Sequence, residues 1–206
     1  MTLAEPNFVE KIICTDVTEA EAPELIKLGE QMIQDCTKLG GVGLAAPQVG
    51  IPKRMFVWRI GQTDDGNDMY QIVFNPKYYK DKKKTRMIEG CLSYKDKHFI
   101  VERAKAVQAV YYTFAHNQML RITNHLTGMK AIIFQHETDH TDGMTIALKG
   151  EELSEQKNKE FVESFQRAKE IRNASGTLSM DNREGSKKIE GMGGGGSASV
   201  EFIPNK

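Results

Sequence analysis

The sequence lacks an excess of charge of either sign. Lysine and arginine together number 28, and aspartate and glutamate also number 28, so the formal net charge is zero. Proteins that hold nucleic acid non-specifically rely on surplus basic side chains to neutralise phosphates. The charge balance therefore predicts no direct binding to nucleic acid.

Long apolar runs are also lacking. No stretch approaches the roughly 20 apolar residues that a helix needs to cross a bilayer. The N-terminal residues include acidic side chains and do not show a basic segment followed by an apolar one, which is the pattern of a secretory signal. We expect no contact with a membrane and no export.

Cysteine is scarce, with only Cys14, Cys36 and Cys91 in the chain. An odd number at wide spacing does not build the disulfide framework of a small secreted domain and fits a reducing cytosol. Cys36 falls on the apolar stripe of a predicted helix, and Cys14 belongs to no metal-binding pattern. Both are predicted to act as small apolar side chains.

Three helices are predicted from apolar residues that recur at helical spacing. They cover Glu21 to Leu39, Met129 to His140, and about Ser154 to Ile171. The first has Thr18 and Glu21 at capping-box spacing before it and a pair of glycines after it.

Strands are predicted between the first two helices, where short runs are rich in β-branched and aromatic residues. These runs are residues 55–60, 70–75, 104–114 and 119–123. Together with the helices they predict one α+β domain over residues 1–172. The polar, glycine-rich segment 173–206 is predicted to be a flexible tail, because it cannot bury enough apolar area to offset its ordering entropy.

The segment FQHETDH, residues 134–140, carries a pattern typical of metal-binding helices. His136 and His140 are one helical turn apart and can present two imidazole nitrogens to a single ion. Glu137 would lie beside that ion without occupying a ligand position. The pattern His-Glu-x-x-His also occurs by chance, and the alternative is a pair of buried histidines satisfied by hydrogen bonds.

A metal site on this helix needs a third ligand from elsewhere in the chain. One class of metallopeptidases supplies a histidine six residues after the second one, but this position is Ile146. Glu160 or Glu163 would complete a zinc peptidase, although both lie in a charged amphipathic stretch. Cys91, in the segment EGCLS (89–93), is the stronger candidate, because a bound ion deprotonates the thiol.

Three segments together resemble the motifs of the peptide deformylase family. They are GVGLAAPQ (41–48), EGCLS (89–93) and QHETDH (135–140), in the family's order. The resemblance implies antiparallel sheets that surround a central metal-binding helix, with an N-terminal helix and a C-terminal helix. It also implies hydrolysis of the N-formyl group from the formylmethionine of newly synthesised proteins. A deformylase-like protein that binds peptides without turnover is the non-enzymatic alternative.

The resemblance implies one divalent ion held by Cys91, His136 and His140. The family implies ferrous iron, whereas the ligand set by itself also suits zinc, nickel or cobalt. In the implied reaction Glu137 exchanges protons with the attacking water. The side-chain amide of Gln48 is implied to stabilise the oxyanion together with the backbone N–H of Leu92.

Peptide binding is implied at the first two motifs and on the metal-binding helix. Gly41 and Gly43 are predicted to allow a close approach of the substrate backbone. The resemblance implies that the peptide adds as a strand and that its methionine enters an apolar pocket. The residues implied are Val42, Gly43 and Gly90 for the strand, and Met129 and Ile132 for the pocket.

Several further expectations accompany the resemblance. Asp139 is predicted to orient a ligand or an arginine, with Arg103 as a partner. The family often has an arginine at the position of His98, and this histidine is predicted to be a surface or structural residue. The implied partners are formylmethionyl nascent peptides in the cytoplasm of a bacterium or of a cell infected by a bacterial virus, and docking to the ribosome is left open.

Overall fold

The computed structural model describes the backbone of residues 1–178 and 198–201, and the side chains of residues 1–171. The helices are α1 (Pro6–Val9), α2 (Ala22–Lys38), α3 (Gly128–Thr141), α4 (Ile146–Lys149) and α5 (Glu155–Leu178), with a 3-10 helix at Ala46–Val49. Within these described segments, no helix combines the length and the apolar character that a membrane span requires.

The strands form two antiparallel sheets. The six-stranded sheet has the order β1-β2-β3-β6-β7-β9, and the three-stranded sheet has the order β4-β5-β8. The strands are β1 (Gly43–Ala45), β2 (Met55–Gln62), β3 (Asp68–Lys80), β4 (Lys84–Cys91), β5 (Tyr94–Ala104), β6 (Ala106–Ala115), β7 (Gln118–Thr127), β8 (Gly150–Glu152) and β9 (Ala198–Glu201).

Helix α2 agrees with the helix predicted from the apolar stripe. The backbone N–H and the hydroxyl of Thr18 both donate to the Glu21 carboxylate at 2.9 Å, which fixes the turn before the helix. Met32 and Cys36 are fully buried on its inner face. Gly40 follows the helix at a φ of 70°, a left-handed conformation that glycine adopts at little cost.

Helix α3 lies between the two sheets and is bound to both. The Phe134 ring packs edge-on against Phe56 and Trp58 of the six-stranded sheet, with ring centroids 5.3 and 5.6 Å apart. Gln135, the next residue, reaches the three-stranded sheet. Its side-chain oxygen accepts from the Ala104 N–H at 3.0 Å, and its NH2 donates to the Ala104 carbonyl at 2.9 Å. The α+β prediction and the central position of the helix are therefore confirmed.

Strand β4 differs from the sequence-based expectation, because it lies outside the four runs that predict strands. It begins at Lys84, inside the basic segment DKKKTR (81–86). This strand is at the edge of its sheet, where charged side chains such as Lys84 and Arg86 remain exposed and discourage pairing with other chains. Basic composition therefore concealed an edge strand.

The C-terminal segment also differs from the prediction of a tail without a fold. Helix α5 continues to Leu178, in a segment that contains no proline to interrupt the backbone hydrogen bonds. Strand β9 pairs with residues 121–124 of β7 and so covers an edge that would otherwise be unpaired. The remainder of the predicted tail, residues 179–197 and 202–206, lies outside the described residues.

The packing of Phe134 predicts a large effect on stability. Phe134→Ala should lower the free energy of unfolding by about 3–5 kcal/mol, because the ring is fully buried and its removal leaves a cavity. Urea denaturation monitored by circular dichroism measures this change. Leu148→Ala is the control, since Leu148 is 55% exposed and its truncation should cost less than about 1 kcal/mol. Equal losses in the two variants would contradict the assigned core.

Candidate active site

Three potential metal ligands converge at the end of α3. Nε2 of His140 lies 3.2 Å from Nε2 of His136 and 3.3 Å from Sγ of Cys91. A tetrahedral ion with ordinary Zn–N and Zn–S bond lengths requires about 3.3–3.6 Å between such donor atoms. These two separations are close to that geometry, and all three donor atoms lie within 4.8 Å of one another, so the side chains can hold one ion.

Different parts of the chain supply these ligands. Cys91 is the last residue of β4, and His136 and His140 are one turn apart on α3. Among the side chains that the structure describes, this is the one group of three or more His, Cys, Asp or Glu residues with ligand atoms close enough for an ion. The exposed Glu160 and Glu163 of α5 are outside it. The zinc peptidase alternative is therefore wrong about the third ligand.

Both histidines are oriented through the ring nitrogen that faces away from the cluster. Nδ1 of His136 lies 2.8 Å from Oε2 of Glu89, and Nδ1 of His140 lies 3.1 Å from the Met144 carbonyl oxygen. Since both partners are acceptors, each Nδ1 carries a hydrogen, which leaves Nε2 as the nitrogen that binds an ion when the ring is neutral. These hydrogen bonds set the tautomer that a metal ligand needs.

A buried guanidinium supports this arrangement. Nε and Nη2 of Arg103 donate to the two Glu89 oxygens at 2.8 Å each, and Nη1 donates to Asp139. Asp139 also accepts from Tyr78 at 3.0 Å and from Lys149 at 2.6 Å. Burial alone would raise the pKa of Glu89, but Arg103 and His136 lower it to about 2. The predicted pair of Asp139 and Arg103 is thus present in the structure.

The charges at the ligands favour a cation. Burial alone would raise the pKa of the Cys91 thiol, yet the two histidines hold it well below its usual value. Burial alone would lower the pKa of His136, whereas Cys91 and Glu89 hold it well above its usual value. These shifts favour the thiolate at Cys91 and positive charge at His136, and a bound cation would take the place of the histidine proton.

Glu137 lies beside the ligands, with only 3% of its surface exposed. Burial raises the pKa of its carboxyl group to about 7. Its Oε2 atom is buried without a hydrogen-bond partner among the described residues, which leaves it free to accept a proton from a bound molecule.

Glycines of the first motif make close contacts with this site. A Cβ atom on Gly43 would overlap the carboxylate of Glu137. A Cβ atom on Gly41 would lie 2.9 Å from Cδ1 of Leu92 and 3.0 Å from Sγ of Cys36. Protein side chains therefore already exclude a Cβ at both positions, and the approach of a substrate backbone stays a prediction.

Gln48 directs its amide toward the metal ligands. Its side-chain oxygen accepts from the Ala45 N–H at 2.8 Å, which fixes the orientation of the amide. Its NH2 donates to Sγ of Cys91 at 3.3 Å and to Oγ of Ser93 at 3.0 Å. The Gln48 amide is thus held against the sulfur of one potential metal ligand.

A groove of about 580 Å³ opens onto these residues. This volume is within the range of small-ligand pockets, which is about 300–1,000 Å³. Predicted residues that line it, besides the ligands Cys91 and His136, are Gly41, Val42, Gly43, Gln48, Gly90, Leu92, Met129, Ile132 and Glu137. The structure therefore brings the predicted substrate-binding positions to one surface.

Comparison with known proteins identifies the family. The model of the polypeptide deformylase family matches residues 3–158. The chain belongs to the peptide deformylase family. Its members share metal-dependent deformylation as their activity, and this chain is accordingly a metal-dependent hydrolase.

Individual peptide deformylases resemble the chain over most of their length. The Aquifex aeolicus protein is 34% identical over 66% of this chain and 78% of its own. The Rhizobium meliloti protein is 29% identical over 82% of this chain and 93% of its own. A crystal structure of the Acinetobacter baumannii class I type b peptide deformylase with bound Met-Ala-Ser has a TM-score of 0.64 at 29% identity, covering 72% of this chain and 97% of that one.

Sequence reasoning missed two residues of this deformylase site. Glu89 orients His136, and Ser93 accepts from Gln48. A signal for Glu89 existed, because this carboxylate lies only two residues before the candidate ligand Cys91. Ser93 is beyond the end of β4 and had no comparable signal.

The buried charges around Arg103 predict a strong effect of its removal. Arg103→Met should destabilise the metal-free protein by about 3–5 kcal/mol, because Glu89 and Asp139 would remain buried without their partner. Lys84→Met is the matched control, since it removes an exposed ion pair with Glu102 in the same sheet and should cost less than about 1 kcal/mol. Urea denaturation after chelation measures both values, and a loss in Arg103→Met no larger than in the control would contradict this assignment.

Proposed function

We propose that the chain removes the formyl group from N-formylmethionyl peptides, using one divalent ion held by Cys91, His136 and His140. The observation that carries this proposal is the convergence of these three donor atoms beside the unpartnered carboxylate oxygen of Glu137. A deformylase needs this combination, since one group must bind the ion and another must move a proton.

The ion itself is proposed to be ferrous iron, as the family resemblance implies. The His2Cys set also suits zinc, nickel and cobalt, and these remain alternative occupants. When bound, such an ion polarises the formyl carbonyl and lowers the pKa of water.

Glu137 is proposed to act as the general base and then as the general acid. Its carboxylate takes a proton from the attacking water, whose oxygen bonds to the formyl carbon. The C–N bond then breaks, and Glu137 returns the proton to the departing amine. The products are formate and a peptide with a free N-terminus. Gly43 keeps this carboxylate beside the ligands, because a larger residue would occupy its position.

Gln48 and Leu92 are proposed to stabilise the oxyanion. The Gln48 amide is oriented through the Ala45 N–H and directs its NH2 toward Cys91. The backbone N–H of Leu92 follows Cys91 directly and is the second proposed donor. Donors that are held in place before the reaction stabilise developing charge without reorganisation.

The peptide is proposed to lie between the edge strands β1 and β4. The Val42 carbonyl accepts from the Arg59 N–H at 2.8 Å, so the backbone polar groups of Gly43 face away from β2. The corresponding partner on β4 is Gly90. The methionine side chain would then contact Met129 and Ile132, both of which line the groove. Met-Ala-Ser bound to the Acinetobacter protein supports a peptide ligand of this kind.

The cellular setting and the domain division are proposals as well. We propose that nascent chains are the substrates and that the enzyme works in a bacterial cytoplasm or during infection by a bacterial virus. We further propose residues 1–172 as the catalytic domain, and the family match to residues 3–158 lies within these bounds.

Glu137→Gln tests the proposed proton transfer. This variant should retain the metal but lose about 10²–10⁴-fold in kcat, because its amide cannot accept the proton. Formate release from formyl-Met-Ala-Ser by anaerobically prepared ferrous protein measures the loss, and elemental analysis measures the metal. Glu163→Gln is the matched control and should remain active. No formate release by the wild type would instead favour the peptide-binding protein without turnover.

Cys91→Ala tests the ligand set. Removal of the thiolate should reduce metal content from about one ion per chain to a small fraction after dialysis, since catalytic sites of this type are held by three protein ligands. Cys14→Ala is the control, because Cys14 is a free cysteine outside the ligand cluster. A Cys91→Ala variant with full metal content and hydrolysis would refute the proposed site.

A further inference from the structure

His98 occupies a position next to the proposed peptide strand. It pairs with Gly90 across β4 and β5. A Cβ atom on Gly90 would lie 3.1 Å from both Nε2 and Cδ2 of the His98 ring. The His98 ring therefore lies against the position where a side chain on Gly90 would begin. It also lines the same groove as the metal ligands.

Helix α5 is joined to the groove through His98. Oδ1 of Asn158 lies 2.7 Å from Nδ1 of His98, and the Asn158 NH2 donates to the Asp96 carbonyl at 2.6 Å. The Phe161 ring meets the His98 ring edge-on, with centroids 4.8 Å apart. These contacts hold the first half of α5 against the β4–β5 hairpin.

Two phenylalanines of α5 extend the wall of the groove. Phe161 and Phe165 stack with ring centroids 6.2 Å apart, and both line the groove that contains Cys91 and Glu137. Phe165 is 63% exposed. Exposed apolar surface that is continuous with a binding site is typical of ligand contact. Other large apolar side chains exposed at this rim are Leu39, Val42, Ile88 and Met129.

We propose that Phe161 and Phe165 contact the peptide residues that follow formylmethionine and select for large apolar side chains there. This inference rests on the proposed function. The occupant is the downstream part of the substrate, because the aromatic wall and the metal ligands belong to one continuous groove. An arginine at the position of His98 would place a charge beside this wall, whereas His98 presents a ring that packs on Phe161.

The test compares three neutral peptides: formyl-Met-Ala-Ser, formyl-Met-Phe-Ser and formyl-Met-Ala-Phe, each amidated at the C-terminus. Amidation removes the carboxylate that would otherwise meet Lys95 and Lys97 at the same end of the groove. For at least one of the two phenylalanine peptides, the wild type should have a kcat/KM about tenfold higher than for formyl-Met-Ala-Ser, chiefly through a lower KM. This ratio corresponds to partial burial of one phenyl ring.

Phe165→Ala should reduce this ratio to about twofold or less, since it removes the exposed ring. Tyr79→Ala is the matched control, because Tyr79 has the same 63% exposure but lies on β3 and does not line the groove. This control should keep the wild-type ratio. An equal ratio in wild type and Phe165→Ala, or no preference in the wild type, would overturn the inference. Absence of formate from all three peptides would overturn the proposed function instead.

Discussion

The buried charge of Arg103 is the constraint on which the site depends. Its guanidinium holds Glu89 with two hydrogen bonds and also binds Asp139, so it joins β4, β5 and α3 at one point. Glu89 in turn orients His136, and Asp139 lies on the same helix as both histidines. Charges buried in this way are costly unless each has a partner with good geometry. The positions of the metal ligands therefore depend on the ion pairs that Arg103 forms with Glu89 and Asp139.

Helix α3 contributes both to the hydrophobic core and to the candidate active site. One face carries Phe134 into the aromatic core, and the adjacent Gln135 forms backbone-like hydrogen bonds with β5. Successive residues thus fix the helix against different sheets. His136 and Glu137 come next in sequence, so their positions are determined by packing that involves no ligand. A preorganised site of this kind needs little rearrangement when the ion or substrate binds.

The features of the site that could be predicted from the sequence are those that depend only on the spacing of residues along a single helix or strand. His136 and His140 are one turn apart, and that geometry is independent of the rest of the fold. Cys91 could be proposed from thiolate chemistry and from the family resemblance. The role of Glu89 depends on how β4 pairs with β5, and the edge strand itself was hidden by the basic residues at and before its start. Gly43 shows a further limit, because the sequence indicates that a Cβ is excluded but not which atoms exclude it.

The position of the ligands on separate elements has a consequence for folding. Cys91 and His140 are separated by 49 residues in sequence, and one ion would join them. Such an ion is a reversible cross-link, and closing a loop of this length in the unfolded chain is worth about 4 kcal/mol in the chain-entropy treatment of cross-links. Metal loading and folding are then coupled, because a chain that binds the ion also gains resistance to unfolding. An ion bound at this centre would therefore also hold β4 against α3.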